Sequence, residues 1–425
     1  MTNRSVLILG SGGREHAIAE KLRKEDVTVF AYPGNPGIFE SAQKTTIGSI
    51  DFFSIKSFVA ERKIDLVVIG PENYLENGLS DYLRQNKIRV FGPSRSAARI
   101  ETDKSYAKHL MKDYDVPTAA FTIVHSRNEF NTAIKKYSFP FVVKVSGLAA
   151  GKGAFVINDE PDLNFAIEEI FIKNSFHDAS SVLVIEEFMK GEEVSLFIIT
   201  DGSRFTTLLP AQDHKRAFDG DKGPNTGGMG SYASSKILSS SILSKIHERI
   251  TEKILKAISN TGDPFKGLLY AGLMINEGEP KIIEFNARFG DPETQSILSM
   301  MESSLYELMM LSSEGSMKNE EPYFMNGCST TVVIAANGYP SNYNKGMFID
   351  IDRAKIDSNT FIYHAGTSYG DSGIVSSGGR ILSVTSVDST LDKSIERVYG
   401  NIAHIKIPNT FYRKDIGKRG LKYEN

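Results

Sequence analysis

The chain has 425 residues, so two to four domains are expected, because a single hydrophobic core rarely grows beyond about 250–300 residues. Hydrophobic residues make up 40%, charged residues 24%, and the formal net charge is −3, a balance that argues against a general nucleic-acid or membrane-surface binder. Cys328 is the only cysteine, which excludes an intrachain disulfide, and no apolar run approaches the about 20 residues that span a bilayer, so we expect a cytoplasmic protein without a membrane segment.

The first hundred residues have the pattern of an open parallel sheet. An apolar strand at residues 6–9 leads into a glycine loop and then a helix, and further strands are predicted at 27–30, 65–70 and 88–91. Each of these strands ends in a loop that contains Gly or Pro. The sequence therefore predicts a doubly wound sheet over residues 1–101, with its ligand at the carboxyl ends of the strands.

The first glycine loop does not match the dinucleotide-binding fingerprint. That motif needs glycine at position 15, where the chain has Glu15, and the second strand ends without an acid for a ribose hydroxyl. Backbone amides at the start of a helix can still bind a phosphate or a carboxylate. We therefore predict that the loop Gly10, Ser11, Gly12 and Gly13 contacts a substrate.

A second glycine loop follows a strand that contains a lysine. Residues 103–111 are predicted to be helical with Lys104 at the start, and the strand at 141–145 carries Lys144 among apolar residues. A buried ammonium group is costly unless it meets an anion. The loop that follows offers backbone and charge for phosphates at Gly147, Gly151, Lys152 and Gly153. Its spacing is not that of a Walker loop, and a surface hairpin with a solvated lysine is the alternative.

A strand at 181–185 ends in Glu186, Glu187 and Phe188. Such an exit can present backbone groups to a flat base, although a solvated turn has the same appearance. Residues 210–230 are rich in Gly, Asp and Lys and are predicted to form a long loop, which in a compact enzyme is usually functional or disordered.

The strand predicted at 280–288 divides its side chains between two faces. One face is apolar and expected to be buried: Ile283, Phe285 and Ala287. The other carries Glu284, Asn286 and Arg288. Carboxylate and amide oxygens suit Mg²⁺ bound to phosphates, and the arginine could hold a developing anion. The alternative is a solvated edge, and the preceding strand offers no acid that would complete the ligand set.

After residue 322 the pattern becomes strand-rich, which predicts a small third region. The expected domains are therefore 1–101, 102–325 with a mobile lid at about 121–192, and 326–425.

The order of these motifs resembles the phosphoribosylamine–glycine ligase family, also called glycinamide ribonucleotide synthetase, within the ATP-grasp superfamily. The similar segments run along the whole chain: 12–17, 33–37, 147–153, 212–216, 223–230, 284–295, 364–367, 377–380 and 413–417. The resemblance implies an α/β enzyme with an N-terminal doubly wound parallel-sheet domain, a central α+β ATP-grasp domain and a small strand-rich C-terminal domain.

The resemblance also implies a reaction and its residues. ATP would phosphorylate glycine, and the amine of 5-phosphoribosylamine would attack the acyl phosphate, giving glycinamide ribonucleotide, ADP and phosphate for purine biosynthesis. ATP contacts are implied for Lys104, Lys144, Gly147, Gly151, Lys152, Gly153, Glu186, Glu187, Phe188 and Glu193. Glu284 and Asn286 would hold Mg²⁺ or Mn²⁺, and Arg288 with Lys144 would be catalytic. Substrates would contact the loop at 10–13 together with Asp213, Lys215, Asp291, Glu293 and Thr294.

Two features depart from the family pattern. Ser146 stands where the family usually has aspartate, and the strand at 270–275 lacks the acid that many ATP-grasp enzymes carry before the metal strand. The main alternative is another carboxylate-activating ATP-grasp enzyme of the biotin-carboxylase kind, which would lack the signatures at 212–230 and 364–380. A non-catalytic nucleotide-binding relative is the other alternative. We expect a monomer or a weak dimer that binds no nucleic acid.

Overall fold

The computed structural model describes residues 4–48, 51–149, 153–318, 320–371 and 373–424. Within these ranges a parallel sheet comes first, two antiparallel sheets follow, and a strand-rich region comes last. This arrangement confirms the predicted α/β fold.

The N-terminal region is a parallel sheet flanked by helices. Its strands are Ser5–Gly10 (β1), Thr28–Pro33 (β2), Gln43–Lys44 (β3), Leu66–Ile69 (β4) and Val90–Phe91 (β5). Its helices are Gly13–Lys24 (α1), Ile38–Ser41 (α2), Phe52–Arg62 (α3), Glu72–Glu76 (α4), Leu79–Gln85 (α5) and Arg95–Thr102 (α6). The strands pair in the order β3-β2-β1-β4-β5, and every pair is parallel.

Strand β1, at the centre of this sheet, is covered by apolar residues on both faces. Leu7 and Leu9 pack into one apolar core, whereas Val6 and Ile8 pack into another on the opposite face. A strand that is covered on both faces reads as a continuous apolar run, which is typical of parallel sheets. The prediction missed β3, because a two-residue exposed edge strand leaves almost no pattern in the sequence.

A second unit follows, which we call the lid. Helix Lys104–Asp113 (α7) precedes it, and its own helices are Arg127–Ala133 (α8) and Glu160–Ile167 (α9). Its strands are Phe121–Val124 (β6), Phe141–Val145 (β7), Ala154–Ile157 (β8) and Leu183–Glu187 (β9), paired antiparallel in the order β6-β9-β7-β8. Short helical turns lie at Ile134–Lys136, Glu168–Ile172 and His177–Ser180. The lid sheet has an apolar core of its own, so it packs as a separate body against the rest.

The central body carries the largest sheet. Its strands are Glu192–Thr200 (β10), Phe205–Thr207 (β11), Ala211–Asp213 (β12), Arg216–Phe218 (β13), Lys222–Asn225 (β14), Gly230–Ala233 (β15), Gly267–Asn276 (β16) and Glu279–Asn286 (β17). Its helices are Ser240–Ile246 (α10), Glu252–Asn260 (α11), Glu293–Leu298 (α12) and Leu305–Glu314 (α13), with helical turns at Ser235–Ile237 and His247–Thr251.

The strands of the C-terminal region are Cys328–Ala336 (β18), Asp350–Ile351 (β19), Thr360–His364 (β20), Thr367–Gly370 (β21), Gly373–Ser376 (β22), Arg380–Asp388 (β23), Ile405–Lys406 (β24) and Thr410–Phe411 (β25). Strands β18, β20, β23 and β25 extend the same sheet, whereas β19 pairs with β24 and β21 pairs with β22 in separate two-stranded sheets. The strands are joined by helix Leu391–Ile402 (α14) and by helical turns at Arg353–Lys355 and Lys418–Tyr423. The path β17-β16-β10-β12-β15-β18-β23-β20 is antiparallel throughout, so the β15–β18 pair fastens the C-terminal region to the body.

Two predictions about the body were wrong. Residues 210–230 are not a long loop, because they contain β12, the hairpin β13–β14 and the start of β15. Their Gly, Pro and charged residues hid the strands, since the hairpin is largely exposed and needs no apolar face. The strand predicted at 280–288 ends at Asn286.

Candidate active site

A cleft of about 1060 Å³ lies between the lid and the body. Most of the predicted site residues line it: Lys104, Lys144, Gly153, Glu186, Glu187, Phe188, Glu193, Asp213, Lys215, Glu284, Asn286, Arg288, Asp291 and Glu293. They come from helix α7, from the lid strands and from strands β10, β12 and β17. The fold therefore collects groups that lie up to 189 positions apart in the sequence.

The remaining predicted residues lie elsewhere. Thr294 is fully buried, and its hydroxyl donates to the Gly290 carbonyl at 2.5 Å, so the side chain supports the local backbone. The loop at 10–13 follows β1, and a Cβ on Gly12 would lie 3.5 Å from the Asp291 carboxylate. Gly147 does not line the cleft, and its carbonyl accepts a hydrogen bond from Lys104 Nζ at 3.3 Å. Gly151 and Lys152 lie outside the described residues.

Strand β17 does not alternate as predicted. The pairing with β16 shifts between Gly272 and Leu273, so that Ile283 is the extra residue of a bulge. Ile283 was predicted to be buried, but it is half-buried and lines the cleft, and Ile282 is the fully buried residue instead. Bulges are common beside active sites because they re-aim side chains. Here the bulge immediately precedes Glu284.

Glu284 and Asn286 have the properties of metal ligands. Both line the cleft, and within the described part of the chain neither side chain forms a hydrogen bond or an ion pair with protein. Burial alone would raise the pKa of Glu284, but the charges of Lys215, Lys144 and Lys104 hold it below its usual value. An ionised carboxylate beside a free amide oxygen fits a hard cation that also binds phosphates. No cluster of three or more His, Cys, Asp or Glu side chains with metal-binding geometry occurs among the described residues.

The lysine predicted to bind phosphate is held by a carboxylate. Lys144 Nζ donates to Glu186 Oε2 at 3.1 Å and to the Ile283 carbonyl at 3.0 Å, and both side chains are buried. The other oxygen of Glu186 lies 3.3 Å from Lys108 Nζ. The Glu186 carboxylate therefore lies between two lysines, which leaves the Glu186 backbone, together with Glu187 and Phe188, as the groups of this strand exit that could contact a base.

The departure at Ser146 has a structural explanation. The Ser146 hydroxyl donates to Asp103 Oδ1 at 3.0 Å and accepts from the Ser105 amide at 2.9 Å. Asp103 also accepts from the Tyr106 amide at 3.0 Å, which makes it the N-terminal cap of α7. Ser146 is thus bound to the first turn of α7, whose first residue is Lys104. Burial lowers the pKa of Lys104.

Arg288 is held by two carboxylates of the N-terminal region. Its Nε lies 3.1 Å from Glu72 Oε2, and its Nη2 lies 2.9 Å from Glu101 Oε1. The second oxygen of Glu101 accepts the Ala287 amide at 2.7 Å, so Glu101 fixes both the side chain and the backbone of this segment. Burial raises the pKa of Glu101, although the guanidinium opposes this change. Arg288 is therefore placed before any substrate arrives.

A group of acids surrounds Lys215, of which Asp213 and Glu293 are buried and Glu193 is partly exposed. Lys215 Nζ donates to Glu193 Oε2 at 2.9 Å. Burial raises the pKa of Asp213 to about 7, against the attraction of Lys215. Glu293 Oε1 accepts from the hydroxyls of Tyr270 at 3.0 Å and Ser195 at 3.1 Å. Asp213, Lys215 and Glu293 thus share one polar pocket that can bind an ammonium and a carboxylate.

Asp291 joins this pocket to the C-terminal region. Its carboxylate lies 3.2 Å from Arg380 Nη1 and accepts from Gln295 Nε2 at 3.0 Å. Burial would raise the pKa of Asp291, but Arg380 and Arg14 hold it below its usual value. The C-terminal segment 377–380 therefore reaches the cleft through Arg380.

Three of the family-like segments meet outside the cleft. The Nδ1 of His16 accepts the His364 amide at 2.8 Å, and Asn35 Nδ2 donates to the His364 carbonyl at 2.9 Å. A Cβ on Gly37 would collide with both histidine rings, so only glycine fits there. Burial lowers the pKa of His16, and burial lowers that of His364 to about 4. This neutral contact joins the first and last regions.

Sequence reasoning missed several residues at the cleft. Lys108, Glu72, Glu101, Tyr270 and Arg380 line it. Two of them carried a signal: Lys108 lies four residues after Lys104 and therefore on the same face of α7, and Arg380 lies in the family-like segment 377–380. The others come from elements that are distant in the sequence, and the sequence does not indicate which residues they contact.

Comparisons with known proteins agree with this geometry. The family models described as the phosphoribosylglycinamide synthetase N domain, ATP-grasp (A) domain and C domain match residues 4–101, 102–294 and 329–419. The phosphoribosylamine–glycine ligase of Leptospira interrogans is 42% identical over 421 residues, which covers 98% of this chain and 99% of that protein.

Solved structures give the same result. The crystal structure of phosphoribosylamine–glycine ligase from Thermotoga maritima matches with a TM-score of 0.86 and 32% identity, covering 97% of this chain and 99% of that one. A biotin carboxylase complex from Campylobacter jejuni matches with a TM-score of 0.73 and 16% identity over 99% and 95% of the two chains, which shows a shared fold alone. This chain belongs to the phosphoribosylglycinamide synthetase family.

In the ranges that the structure covers, no helix is long and apolar enough to cross a membrane.

Proposed function

We propose that this family member is the ADP-forming ligase that joins glycine to 5-phosphoribosylamine, a step of purine biosynthesis. One observation carries the proposal: Glu284 and Asn286 face a lysine-lined cleft, and Arg288, two residues further on, is held by Glu72 and Glu101 of the parallel-sheet region. Arg288 thereby connects the lysine-lined part of the cleft, where we place ATP, to the edge of the parallel sheet, where ligands of such sheets bind.

The reaction has two displacement steps. A carboxylate oxygen of glycine attacks the γ-phosphorus of ATP, the bond to the β,γ-bridging oxygen breaks, and ADP leaves. The amine nitrogen of phosphoribosylamine then attacks the carbonyl carbon of glycyl phosphate, the bond to the phosphate oxygen breaks, and the nitrogen loses a proton. The products are glycinamide ribonucleotide, ADP and phosphate. Phosphoryl transfer needs mainly positioning and neutralised charge.

Each part of the cleft has a role in this scheme. Lys104, Lys144 and the loop that includes Gly147 and Gly153 neutralise the ATP phosphates, while Glu187 and Phe188 receive the base and Glu193 the ribose. When bound to Glu284 and Asn286, Mg²⁺ or Mn²⁺ supplies positive charge to the phosphates. Arg288 stabilises the charge of the acyl phosphate, because its guanidinium is already oriented when that charge develops.

The acidic pocket and the N-terminal loop hold the other substrates. Asp213 and Glu293 accept the ammonium of glycine, and Lys215 faces its carboxylate. The Gly10–Gly13 backbone, next to Asp291, binds phosphoribosylamine. We place the domain boundaries after residues 101 and 325. We further propose that the lid at 121–192 moves on nucleotide binding, and that the enzyme works in the cytoplasm as a monomer or a weak dimer.

A biotin-carboxylase-like activity is the second candidate, because the fold is shared with that group. Such an enzyme would consume ATP with bicarbonate rather than with glycine. A non-catalytic relative would bind nucleotide without turnover. The signatures at 212–230 and 364–380 and the 42% identity to a phosphoribosylamine–glycine ligase favour the ligase over the first alternative. The free ligand atoms of Glu284 and Asn286 and the paired Arg288 favour a working enzyme over the second.

The test is the substrate dependence of ATP consumption. We expect ADP and phosphate to form only when Mg²⁺, glycine and phosphoribosylamine are all present, with glycinamide ribonucleotide appearing in equal amount. The Glu284→Gln variant, purified in the same way, sets the background from contaminating ATPases. Rapid ATP turnover with neither substrate, or turnover that depends on bicarbonate, would refute the assignment.

A further inference from the structure

A closed chain of polar contacts surrounds the lysine that faces the ATP phosphates. Lys144 contacts Glu186, Glu186 contacts Lys108, and Lys108 Nζ donates to Thr118 Oγ1 at 2.7 Å. Thr118 in turn donates to the Ile282 carbonyl at 2.7 Å. Lys144 also donates to the carbonyl of Ile283, the next residue of the same strand. Both ends of this series of contacts therefore lie on β17, at the bulge beside Glu284.

The three charged groups in this series of contacts do not balance. Glu186 brings one negative charge, whereas Lys144 and Lys108 bring two positive charges, and the exposed fractions of all three side chains lie between 2% and 6%. A buried carboxylate with only one lysine as partner would neutralise that lysine. The second lysine therefore leaves one positive charge in excess, close to where the nucleotide phosphates bind.

We propose that Lys108 is a positioning residue for the nucleotide, because it neutralises Glu186 and so leaves the charge of Lys144 available to the phosphates. This inference rests on the proposed function only in taking the cleft as the ATP site. Lys108 lines the cleft, but its side chain is only 3% exposed and its ammonium contacts Glu186 and Thr118, so the proposed role does not require it to touch the nucleotide. Its long side chain passes the ring of Phe121, with Nζ 5.5 Å from the ring centre, which fixes the ammonium group in place.

The surroundings of Lys108 fit this role. Glu186 on β9, Lys144 on β7 and Glu284 on β17 are the charged groups that act on it from the packed elements. Burial lowers the pKa of Lys108 to about 8, although Glu186 opposes this change. Lys108 is therefore still a cation at neutral pH.

The test measures binding of a non-hydrolysable ATP analogue with Mg²⁺ by calorimetry, without glycine or phosphoribosylamine. Lys108→Met keeps the length of the side chain and removes its charge, and we expect the dissociation constant to rise roughly tenfold. Lys108→Arg should bind within about threefold of the native protein. Lys112→Met, one turn further along α7 and exposed, is the matched control and should bind normally.

The double variant Lys108→Met/Glu186→Gln decides between charge and packing. If Lys108 acts by neutralising Glu186, removing both charges frees Lys144 again, and affinity should return to within about threefold of the native value. A double variant that binds as weakly as Lys108→Met, or more weakly, would overturn the proposal, and so would normal binding by Lys108→Met. Urea unfolding shows whether each variant is folded. If Lys108→Met does not fold, the double variant still decides.

These measurements do not depend on the ligase reaction. Loss of substrate-dependent turnover with the expected binding pattern would refute the proposed function alone. Normal turnover with the wrong binding pattern would refute the role of Lys108 alone.

Discussion

The two ends of the short segment 284–288, at the C-terminal end of β17, place their polar groups in opposite situations. Arg288, just beyond the strand, is bound by two carboxylates at 2.9 and 3.1 Å. Glu284 and Asn286, on the strand, have no side-chain partner among the residues that the structure describes. One end is thus complete within the protein, while the other exposes oxygens to a cleft whose lysines favour the negative charge of Glu284.

This difference indicates how each end contributes to catalysis. A group whose partners are protein atoms is oriented before the substrates bind, and its loss should cost both position and stability. A group without protein partners contributes little to folding, and its loss should affect only ligand binding and chemistry. Mutations at the two ends should therefore separate activity from stability.

The largest effect is expected at the unpaired end. Glu284→Gln removes the charge with almost no change of volume, and turnover should fall roughly a hundredfold or more, about 3 kcal/mol. The free energy of unfolding should stay close to the native value, because no protein contact is lost. ADP formation measured over a Mg²⁺ titration, together with urea unfolding, checks both statements.

Glu279→Gln is the control for this change, since it lies on the same strand but its carboxylate pairs with Lys245 and Arg249 at the surface. It should leave turnover unchanged. An active Glu284→Gln enzyme with the native Mg²⁺ dependence would place the metal elsewhere.

A smaller loss of activity, accompanied by a loss of stability, is expected at the paired end. Glu101→Gln leaves an amide facing the Arg288 guanidinium, so turnover should fall about tenfold, or about 1.4 kcal/mol, while stability should fall by about 1–3 kcal/mol. The Michaelis constant for ATP should change little. Steady-state kinetics and urea unfolding give these values.

Glu72→Gln is the comparison variant, because the Glu72 side chain is 28% exposed and that of Glu101 only 6%. Water can replace part of its contact, so both losses should be smaller. Equal stability of the native protein and the Glu101→Gln variant would show that the pairing of Arg288 is not needed.

The smallest effect is expected at Ser146, where a neutral hydroxyl rather than a charge meets Asp103. Ser146→Asp would place a second carboxylate beside Asp103 and weaken the start of α7, with a stability loss of about 1 kcal/mol. Turnover should change by less than about tenfold, because Ser146 does not line the cleft. Adding Asp103→Ser to this variant should restore stability. A gain of roughly a hundredfold on introducing aspartate would instead show that the native site is impaired.

The sequence alone determined the family, the three-region fold and fourteen of the residues that line the cleft. It could do so because the glycine loops, the parallel strands and the segment 284–295 depend on local spacing, which the order of residues preserves. Local spacing also identified Glu284, Asn286 and Arg288 as one group. It was wrong at Ile283, because the bulge arises from pairing with β16, and wrong at 210–230, because hairpin pairing there does not need an apolar pattern.

Only the tertiary structure decided which partners these groups have. The Glu186 carboxylate points to Lys144 and Lys108, and Arg288 meets acids that lie 216 and 187 positions earlier in the chain. His16 proved to be a contact between the first and last regions, whereas Arg14, two residues earlier, lines the cleft. Ion pairs and burial depend on distances across the fold. These distances are set by packing between elements that are far apart in the sequence, and neither element's own sequence indicates which other element it packs against.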